Sequence, residues 1–346
     1  MPTHKINLLP TVTASLLTNY VARYRVPAAW FSDVTQVWFS SDEAGNNPIA
    51  SRLVWTPTGG NAAPFDIEVA SVSAVTGAEF YFQYGDKPGG YDTDPYRAAA
   101  KIVTDTSDDF SDLTTNGNDG TGLFFTAGAV TGPDGDTPAA ETTSGSASRV
   151  VVSDDASLDI TGAITIKGWV KVQATPGSGQ AHGFASKYKS FGNNRGYAVT
   201  VQEGREVRAL ISSDGTGPNT KVVLGSALPL DEWKHVVVVF EPSTAIRIYI
   251  DGSLDTEDTT SIPASINTNA EPLYWGTYVS PSTSTSLDGE FSDLSVHAEA
   301  QSDAEANADY LLQGPNASTY WTTSVVGGVV RSAVRSAVRA AVRTAS

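Results

Sequence analysis

The sequence lacks cysteine altogether, and its charged residues are few and mostly acidic. Without cysteine the chain can form no disulfide, no thiolate metal site and no cysteine nucleophile. It carries 22 Lys and Arg residues against 38 Asp and Glu residues, a formal net charge of −16. A surface of this charge repels phosphate backbones and anionic membranes, so we expect no nucleic-acid partner.

Long hydrophobic runs are also missing. No stretch approaches the roughly 18 apolar residues of a membrane helix, so we expect no membrane insertion. The opening segment MPTHKINLLPTVTASLLTNY is broken by Pro10 and by polar residues, which is not the pattern of a secretory signal. The sequence therefore predicts a soluble protein that is made in a cytoplasm and is not exported by the usual route.

Glycine, proline and β-branched residues are plentiful, with 31 Gly and 18 Pro among 346 residues. This composition predicts an all-β protein with many turns. The chain also exceeds the length at which a single core usually keeps growing. We therefore expect two β domains with tails.

Strand patterns divide the chain into four predicted segments. These are an N-terminal arm (residues 1–30), a small β domain (31–105), an antiparallel β-sandwich (106–314) and a C-terminal tail (315–346). Within the arm the sequence predicts a short helix over Ala14–Tyr24. The small domain shows strands such as FDIEVAS and AEFYFQYG, and the sandwich shows AITIKGWVKV, KHVVVVFEP and EFSDLSVHA between regular turn signals.

Two neighbouring strands of the predicted sandwich have distinct patterns. In IRIYIDG, alternate isoleucines predict a half-buried strand that runs into a turn at Asp251 and Gly252. The run Val236–Phe240 is apolar on both faces, which is typical of a central strand covered on both sides.

The end of the sequence combines a capped helix with a repeat. QSDAEANADYLLQ predicts a helix that begins after Ser302, with Glu305 completing a capping box, and stops at Gly314. Beyond it, VVRSAVRSAVRAAVRTAS repeats valine and arginine every fourth residue. We predict that a valine seam on this tail joins copies of the chain; a disordered end is the alternative. The seam residues are Val330, Val334, Val338 and Val342.

Three stretches together resemble the laminin-G-like module of the concanavalin A-like lectin/glucanase superfamily, found in bacterial, archaeal and phage surface proteins. They are DLTTNGNDGTG (112–122), DEWKHVVVVFEPSTAIRIYIDGSL (231–254) and LDGEFSDLSVHAEAQSDAEANADYL (287–311). The preceding AEFYFQYGD resembles a small β domain of unknown function that often comes before such modules. The resemblance implies a jelly-roll sandwich that binds or displays.

The sequence shows none of the common catalytic patterns. Glucanases of this jelly roll carry Glu-x-Asp-x-Glu on one strand so that acid and nucleophile face the same bond, and that triplet does not occur here. Serine-hydrolase, phosphate-binding and zinc-protease motifs are missing as well. We therefore expect no enzyme activity. Trp169, Trp233, His235 and His297 lie in apolar strands and are expected to be structural.

A structural calcium ion is implied by the resemblance, because family members often join the opening turn to the closing strand through one. It would use Asp112 and Asp293, helped by the backbone near Asn116. Oxygen ligands suit calcium. Alternatively these acids cap turns or face solvent.

Glycan binding requires aromatic faces for sugar stacking and polar groups for hydroxyls, gathered on loops at the edge of the sandwich. SKYKSFGNNRGY and LYWGTY supply such residues, which are equally compatible with core edges or subunit contacts. The candidates are Tyr188, Asn193, Asn194, Arg195, Trp275 and Tyr278.

These observations lead to a functional hypothesis. Laminin-G-like modules usually work outside cells, whereas this sequence predicts no signal and no disulfide. A phage virion protein that assembles in the host cytoplasm, such as a tail fibre, head fibre or capsid decoration, reconciles the two. Its expected partners are a glycan, other virion proteins and copies of itself, with a trimer favoured. The alternative is a cellular surface adhesin or polysaccharide-binding protein outside the cell; a glycosidase is less favoured.

Overall fold

A computed structural model of the chain describes residues 4–13, 17–30, 36–41, 47–53, 63–72, 78–84, 95–96, 98–278 and 284–325. Within these ranges the chain folds into antiparallel strands arranged in four sheets, together with one α-helix. No helix of this part of the chain is long and apolar enough to cross a membrane. The all-β prediction is confirmed.

The small β domain consists of a five-stranded and a three-stranded sheet. Their strands are β1 (His4–Leu8), β2 (Leu17–Val26), β3 (Val37–Ser40), β4 (Pro48–Ile49), β5 (Ser51–Leu53), β6 (Ala63–Val72), β7 (Ala78–Tyr84) and β23 (Trp321–Val325). The first sheet has the order β23-β1-β7-β3-β4 and the second β2-β6-β5. Both contribute to one core, in which Phe39 contacts Phe65 of the other sheet edge-on, with ring centroids 5.4 Å apart.

The N-terminal segment differs from its prediction. β1 and β2 are strands of the small domain, whereas the sequence predicted an arm over residues 1–30. The helix predicted over Ala14–Tyr24 is wrong from Leu17 onward, where β2 pairs with β6. The reason is the spacing of the buried residues: Tyr20, Ala22 and Tyr24 alternate on one face, which is the period of a strand.

The far end of the chain returns to the same domain. β23 pairs antiparallel with β1, bringing Val325 opposite His4. Part of the predicted tail is therefore a strand of the small domain. The repeat residues Val330, Val334, Val338 and Val342 lie outside the described residues, so their role in oligomerisation stays a prediction.

The larger domain is a sandwich of two antiparallel sheets. Its strands are β8 (Ala100–Val103), β9 (Gly120–Leu123), β10 (Phe125–Thr131), β11 (Pro138–Thr142), β12 (Arg149–Val152), β13 (Ile164–Val172), β14 (Ala181–Tyr188), β15 (Arg195–Gln202), β16 (Glu206–Ser212), β17 (Thr220–Ala227), β18 (Trp233–Glu241), β19 (Ala245–Ile250), β20 (Ser253–Asp258), β21 (Leu273–Trp275) and β22 (Gly289–His297). One sheet has the order β10-β11-β22-β13-β18-β19-β20, with β8 beside β22. The other has the order β17-β16-β15-β14-β21-β12-β9.

The strand β18 is covered on both faces, as its sequence predicted. Val236 and Val238 belong to the core between the sheets, whereas Val237 and Val239 pack with Ala306 of the helix α1 (Asp303–Gln313). The partner strand β19 continues into the predicted turn, where Asp251 and Gly252 have φ angles of 51° and 73°. Two left-handed residues in succession suit a tight hairpin.

The helix α1 joins the two domains. Ser302 and Glu305 form the predicted capping box, and Gly314 ends the helix. Ala308 and Leu312 enter the core of the small domain. On the other side, the Tyr310 ring stacks on Trp169 of the sandwich, with centroids 5.6 Å apart.

A buried ionic network also crosses between the domains. Arg23 of β2, which is 5% exposed, pairs with Asp66 at 2.9 Å and with Asp293 of the sandwich. A register shift where β13 pairs with β22 places a bulge at Asp293, whose φ is 56°. Such a bulge redirects a side chain. Close by, Asp309 of α1 accepts hydrogen bonds from Lys167 at 2.6 Å and from Tyr20 at 2.8 Å.

Candidate functional site

The candidate site lies on the outer face of the seven-stranded sheet. Along β15 and β16, Val199 and Ala209 point into the core between the sheets. Their sequence neighbours Ala198 and Leu210 form a separate cluster with Tyr188 and the half-buried Tyr278. Because side chains alternate along a strand, this second cluster marks the opposite face of the sheet.

Two tyrosines and two arginines are stacked on this face. The rings of Tyr188 and Tyr278 are tilted by 32° with centroids 5.5 Å apart. The guanidinium carbon of Arg195 lies 5.9 Å from the Tyr188 centroid, and that of Arg208 lies 5.3 Å from the Tyr278 centroid. Burial raises the pKa of the Tyr278 phenol, so this side chain is a neutral hydrogen-bonding group.

Neighbouring strands fix the position of Arg208. The register places Thr200 of β15 opposite Arg208 of β16. Nε of Arg208 donates to Thr200 Oγ1 at 3.0 Å, and Nη1 donates to Gln202 Oε1 at 3.3 Å. The guanidinium is thus held by two neutral acceptors and an aromatic ring, which orders it without neutralising its charge.

A cleft of about 370 Å³ opens beside this cluster. Its volume falls within the range of small-ligand sites. It combines one aromatic ring, one cation, one carboxylate and several amide and hydroxyl groups. The described lining residues are Gly179, Gln180, Ala181, Gln202, Glu203, Arg208, Tyr278, Ser284 and Thr285. Glu203 also accepts a hydrogen bond from the backbone amide of Gly179.

The structure brings only part of the predicted glycan set to this cleft. Tyr278 lines the cleft. Tyr188 packs against Tyr278 and is itself only 5% exposed. Asn193, Asn194 and Arg195 lie in and beside the turn between β14 and β15. Nδ2 of Asn194 donates to Glu271 at 3.0 Å. Arg195 donates to the backbone carbonyl of Ser190 in the same turn and, at 3.2 Å, to that of Gly215 in the turn between β16 and β17.

Trp275 is a correction to the predicted set. It is fully buried in the core and lies edge-on to Phe184, so it has no face available to a sugar. In β21, Leu273 and Trp275 point inward and Tyr274 lies between them. The alternation in LYW was visible in the sequence, but the sequence alone does not tell which of the two phases faces the core.

The residues that the sequence missed are Gln180, Gln202, Glu203 and Arg208. The local signal for Arg208 was its place in VRALISS, where it alternates with the core residues Val207, Ala209 and Ile211. Its relation to Tyr278 depends on sheet neighbours that are distant in sequence.

The residues predicted to be structural are mostly buried. Trp169 and His235 are each 1% exposed, and His297 is 8% exposed. Trp233 is half-buried at the start of β18. Burial lowers the pKa of His235 to about 4, so it is uncharged at neutral pH.

The predicted calcium ligands do not fit an ion. Asp112 accepts hydrogen bonds from its own turn and from β8, and Asn116 donates its side-chain amide to the Ala100 carbonyl at 2.9 Å. Asp293 pairs with Arg23, whose charge opposes a cation. The backbone amides that donate to Asp112 are those of Val103, Thr114 and Asn118. In the described ranges no group of three or more His, Asp or Glu residues could hold a metal. Calcium stays an untested prediction that this hydrogen bonding disfavours.

The fold of the sandwich is that of a known superfamily. Residues 144–307 match the model of the Laminin_G_3 family, described as the concanavalin A-like lectin/glucanases superfamily. This part of the chain is therefore similar to concanavalin A-like domains of the laminin-G type, and its two sheets form a jelly-roll sandwich of that kind. No curated protein matches the sequence.

Two solved structures are similar to part of the chain, and the first of them shares its fold. The binding domain of Paraclostridial Mosquitocidal Protein 1 is 13% identical with a TM-score of 0.50, over 61% of this chain and 52% of that one. The receptor-binding domain of botulinum neurotoxin C/D mosaic serotype is 12% identical with a TM-score of 0.46, over 62% and 51%. The match spans about half the length of these structures. At such identities the likeness concerns the fold alone.

Proposed function

We propose that this protein is a non-enzymatic binding protein whose sandwich binds a cell-surface or extracellular glycan in the cleft beside Tyr278. The observation that carries the proposal is the combination of one half-buried aromatic ring with amide, hydroxyl, carboxylate and guanidinium groups around a cleft of about 370 Å³. A saccharide offers an apolar ring face and a circle of hydroxyls, which these groups match. The lectin-like sandwich supports the same conclusion.

The chemistry of the cleft favours binding over hydrolysis. Glycosidases usually need two carboxylates on either side of the bond. Glu203 is the one carboxylate among the described residues that line the cleft. Another group of acids, Asp66, Asp293 and Asp309, lines a cavity of about 50 Å³, and each of the three is paired with Arg23 or Lys167. That cavity is too small for a sugar ring.

A glycan microarray probed with the full chain tests the proposal. Wild type should bind at least one class of glycan, and Tyr278→Ala should abolish that binding because it removes the sugar platform. The matched control is Phe191→Ala. Phe191 is 61% exposed in the turn between β14 and β15 and is not among the residues that line the cleft.

Two results would contradict the proposal. One is binding that survives Tyr278→Ala but is lost with Phe191→Ala, which would move the site to the hairpin. The other is release of reducing ends from the bound glycan, which would make the protein a glycosidase.

We further propose that the protein is displayed in several copies on a phage virion, as a tail fibre, head fibre or capsid decoration. The support is the cysteine-free, acidic sequence together with the valine and arginine repeat over residues 330–343. Repeated copies would convert weak glycan contacts into firm attachment through effective concentration.

Mass spectrometry of purified virions and light scattering of the full chain test this display. We expect the chain in virions, and a trimer that dissociates when residues 326–346 are removed. Absence from virions, with the chain recovered on the surface of the cells that make it, would favour the adhesin alternative.

A further inference from the structure

We propose that the glycan held in this cleft is acidic, with a carboxylate or sulfate group that binds Arg208. This inference rests on the proposed function and names the class of saccharide that the site takes. It starts from the guanidinium itself, whose hydrogen bonds leave most of its donors available.

Arg208 is ordered but not neutralised. Its Nε and one Nη1 hydrogen bond go to the neutral acceptors Thr200 and Gln202. In the described part of the chain, Nη2 donates no hydrogen bond, and no carboxylate oxygen lies within 4.0 Å of this guanidinium. Residues 279–283, which follow Tyr278 in the sequence, read VSPST and include no acid.

Arginines elsewhere in the chain show the contrast. Arg247 pairs with both Glu241 and Glu257, and Arg25 pairs with Asp134 and Asp136. Arg208 differs from both, because its guanidinium keeps unused donors and lines a cleft. The protein itself has a net charge of −16, so a cation left without a carboxylate partner suits an anion supplied by a ligand. Its planar fork matches a carboxylate or sulfate with two parallel hydrogen bonds.

The rest of the cleft sets the orientation of the saccharide. The negative charge of Glu203 repels an anion at that end of the cleft. We therefore expect the acidic group of the saccharide beside Arg208 and its hydroxyls beside Glu203 and Gln180. The Tyr278 side chain, whose ring lies against both Tyr188 and Arg208, then contacts the same or the adjoining sugar through its exposed part. The second arginine, Arg195, lies over Tyr188 and adds positive potential on the same face.

The test is a microarray of matched pairs, each neutral oligosaccharide printed beside its sialylated, uronylated and sulfated forms. The full chain is probed at about 150 mM NaCl, where charges more than roughly 8 Å away are largely screened. Wild type should prefer acidic members. Arg208→Gln should weaken acidic glycans by about tenfold to a hundredfold, while neutral glycans change by less than about twofold.

The control is Arg247→Gln, the same substitution at an arginine of the opposite sheet, which should leave every affinity unchanged. Arg208→Lys keeps the charge without the planar fork and should restore part of the lost affinity. Comparing the sulfated with the sialylated and uronylated glycans shows whether Arg208 binds a sulfate or a carboxylate.

The possible failures are distinct. The acidic preference would be overturned if wild type bound neutral and acidic glycans with equal affinity, or if Arg208→Gln lowered both affinities equally. Either result would leave glycan binding itself intact. A wild-type chain that binds no glycan at all would overturn the proposed function itself, and this inference with it.

Discussion

Arg23 connects the two β domains through charge, and removing it should be costly. Its side chain is 4% exposed and faces Asp66 and Asp293, whose side chains are 6% and 10% exposed. Arg23→Leu would leave both carboxylates buried without a counter-ion. Breaking a buried pair in this way costs about 3–5 kcal/mol, because an uncompensated charge remains in a poorly solvated site. We expect that loss in the free energy of unfolding.

The assay is urea unfolding at neutral pH, followed by tryptophan fluorescence. Arg247→Leu is the matched control, since Arg247 also pairs with two carboxylates but its side chain is 22% exposed and those of its partners 42% and 39%. Solvent screens such a pair, so its loss should cost less than about 1 kcal/mol. A triple variant, Arg23→Met with Asp66→Asn and Asp293→Asn, removes all three charges and should recover most of the stability.

Equal costs for Arg23→Leu and Arg247→Leu would refute the reasoning, because burial would then make no difference. A triple variant as unstable as Arg23→Leu would show that packing, and not unpaired charge, is the cause.

Four further predictions concern stability. Burial lowers the pKa of His235 from 6.5 to about 4. Between these pH values the unfolded chain binds a proton that the folded chain does not. The free energy of unfolding should therefore fall by roughly 3 kcal/mol as the pH drops through this window. Urea titrations above pH 6.5 and near pH 4 should show a shallower pH dependence for His235→Gln; an unchanged slope contradicts this. A Cβ on Gly183 would lie 1.9 Å from a neighbouring backbone carbonyl, so Gly183→Ala should cost about 1–3 kcal/mol, whereas Gly162→Ala, with nothing within 4 Å, should leave the melting temperature unchanged. Ser302→Ala should cost about 1 kcal/mol through loss of the capping box, which an unshifted urea midpoint would rule out. EDTA should leave the melting temperature unchanged because Asp112 is already hydrogen-bonded; a fall of several degrees would restore the calcium site.

Local patterns in the sequence predicted those parts of the fold that depend on neighbours in the chain. The β18 and β19 strands, their left-handed turn and the capped helix α1 each follow from residues a few positions apart. Such features need only the strand and helix periods and the stereochemistry of turns and caps.

The features that the sequence did not predict depend on distant partners. The sequence predicts a helix where β2 lies, because the alternation of β2 only becomes clear once β6 lies beside it. β23 joins β1 across most of the chain. In the site, the sequence alone predicts the wrong face for Trp275. It does not reveal Arg208, because the contact of Arg208 with Tyr278 requires the register of four strands, β16, β15, β14 and β21. One strand alone does not specify which face the core covers.

The most direct test of glycan binding is a crystal structure of the full chain with the acidic oligosaccharide that binds most tightly. A sugar ring should lie against Tyr278, its anionic group within hydrogen-bonding distance of Arg208, and the glycosidic bonds intact. Density for the saccharide at any other surface, or a cleaved product in the cleft, would contradict a non-enzymatic acidic-glycan site there.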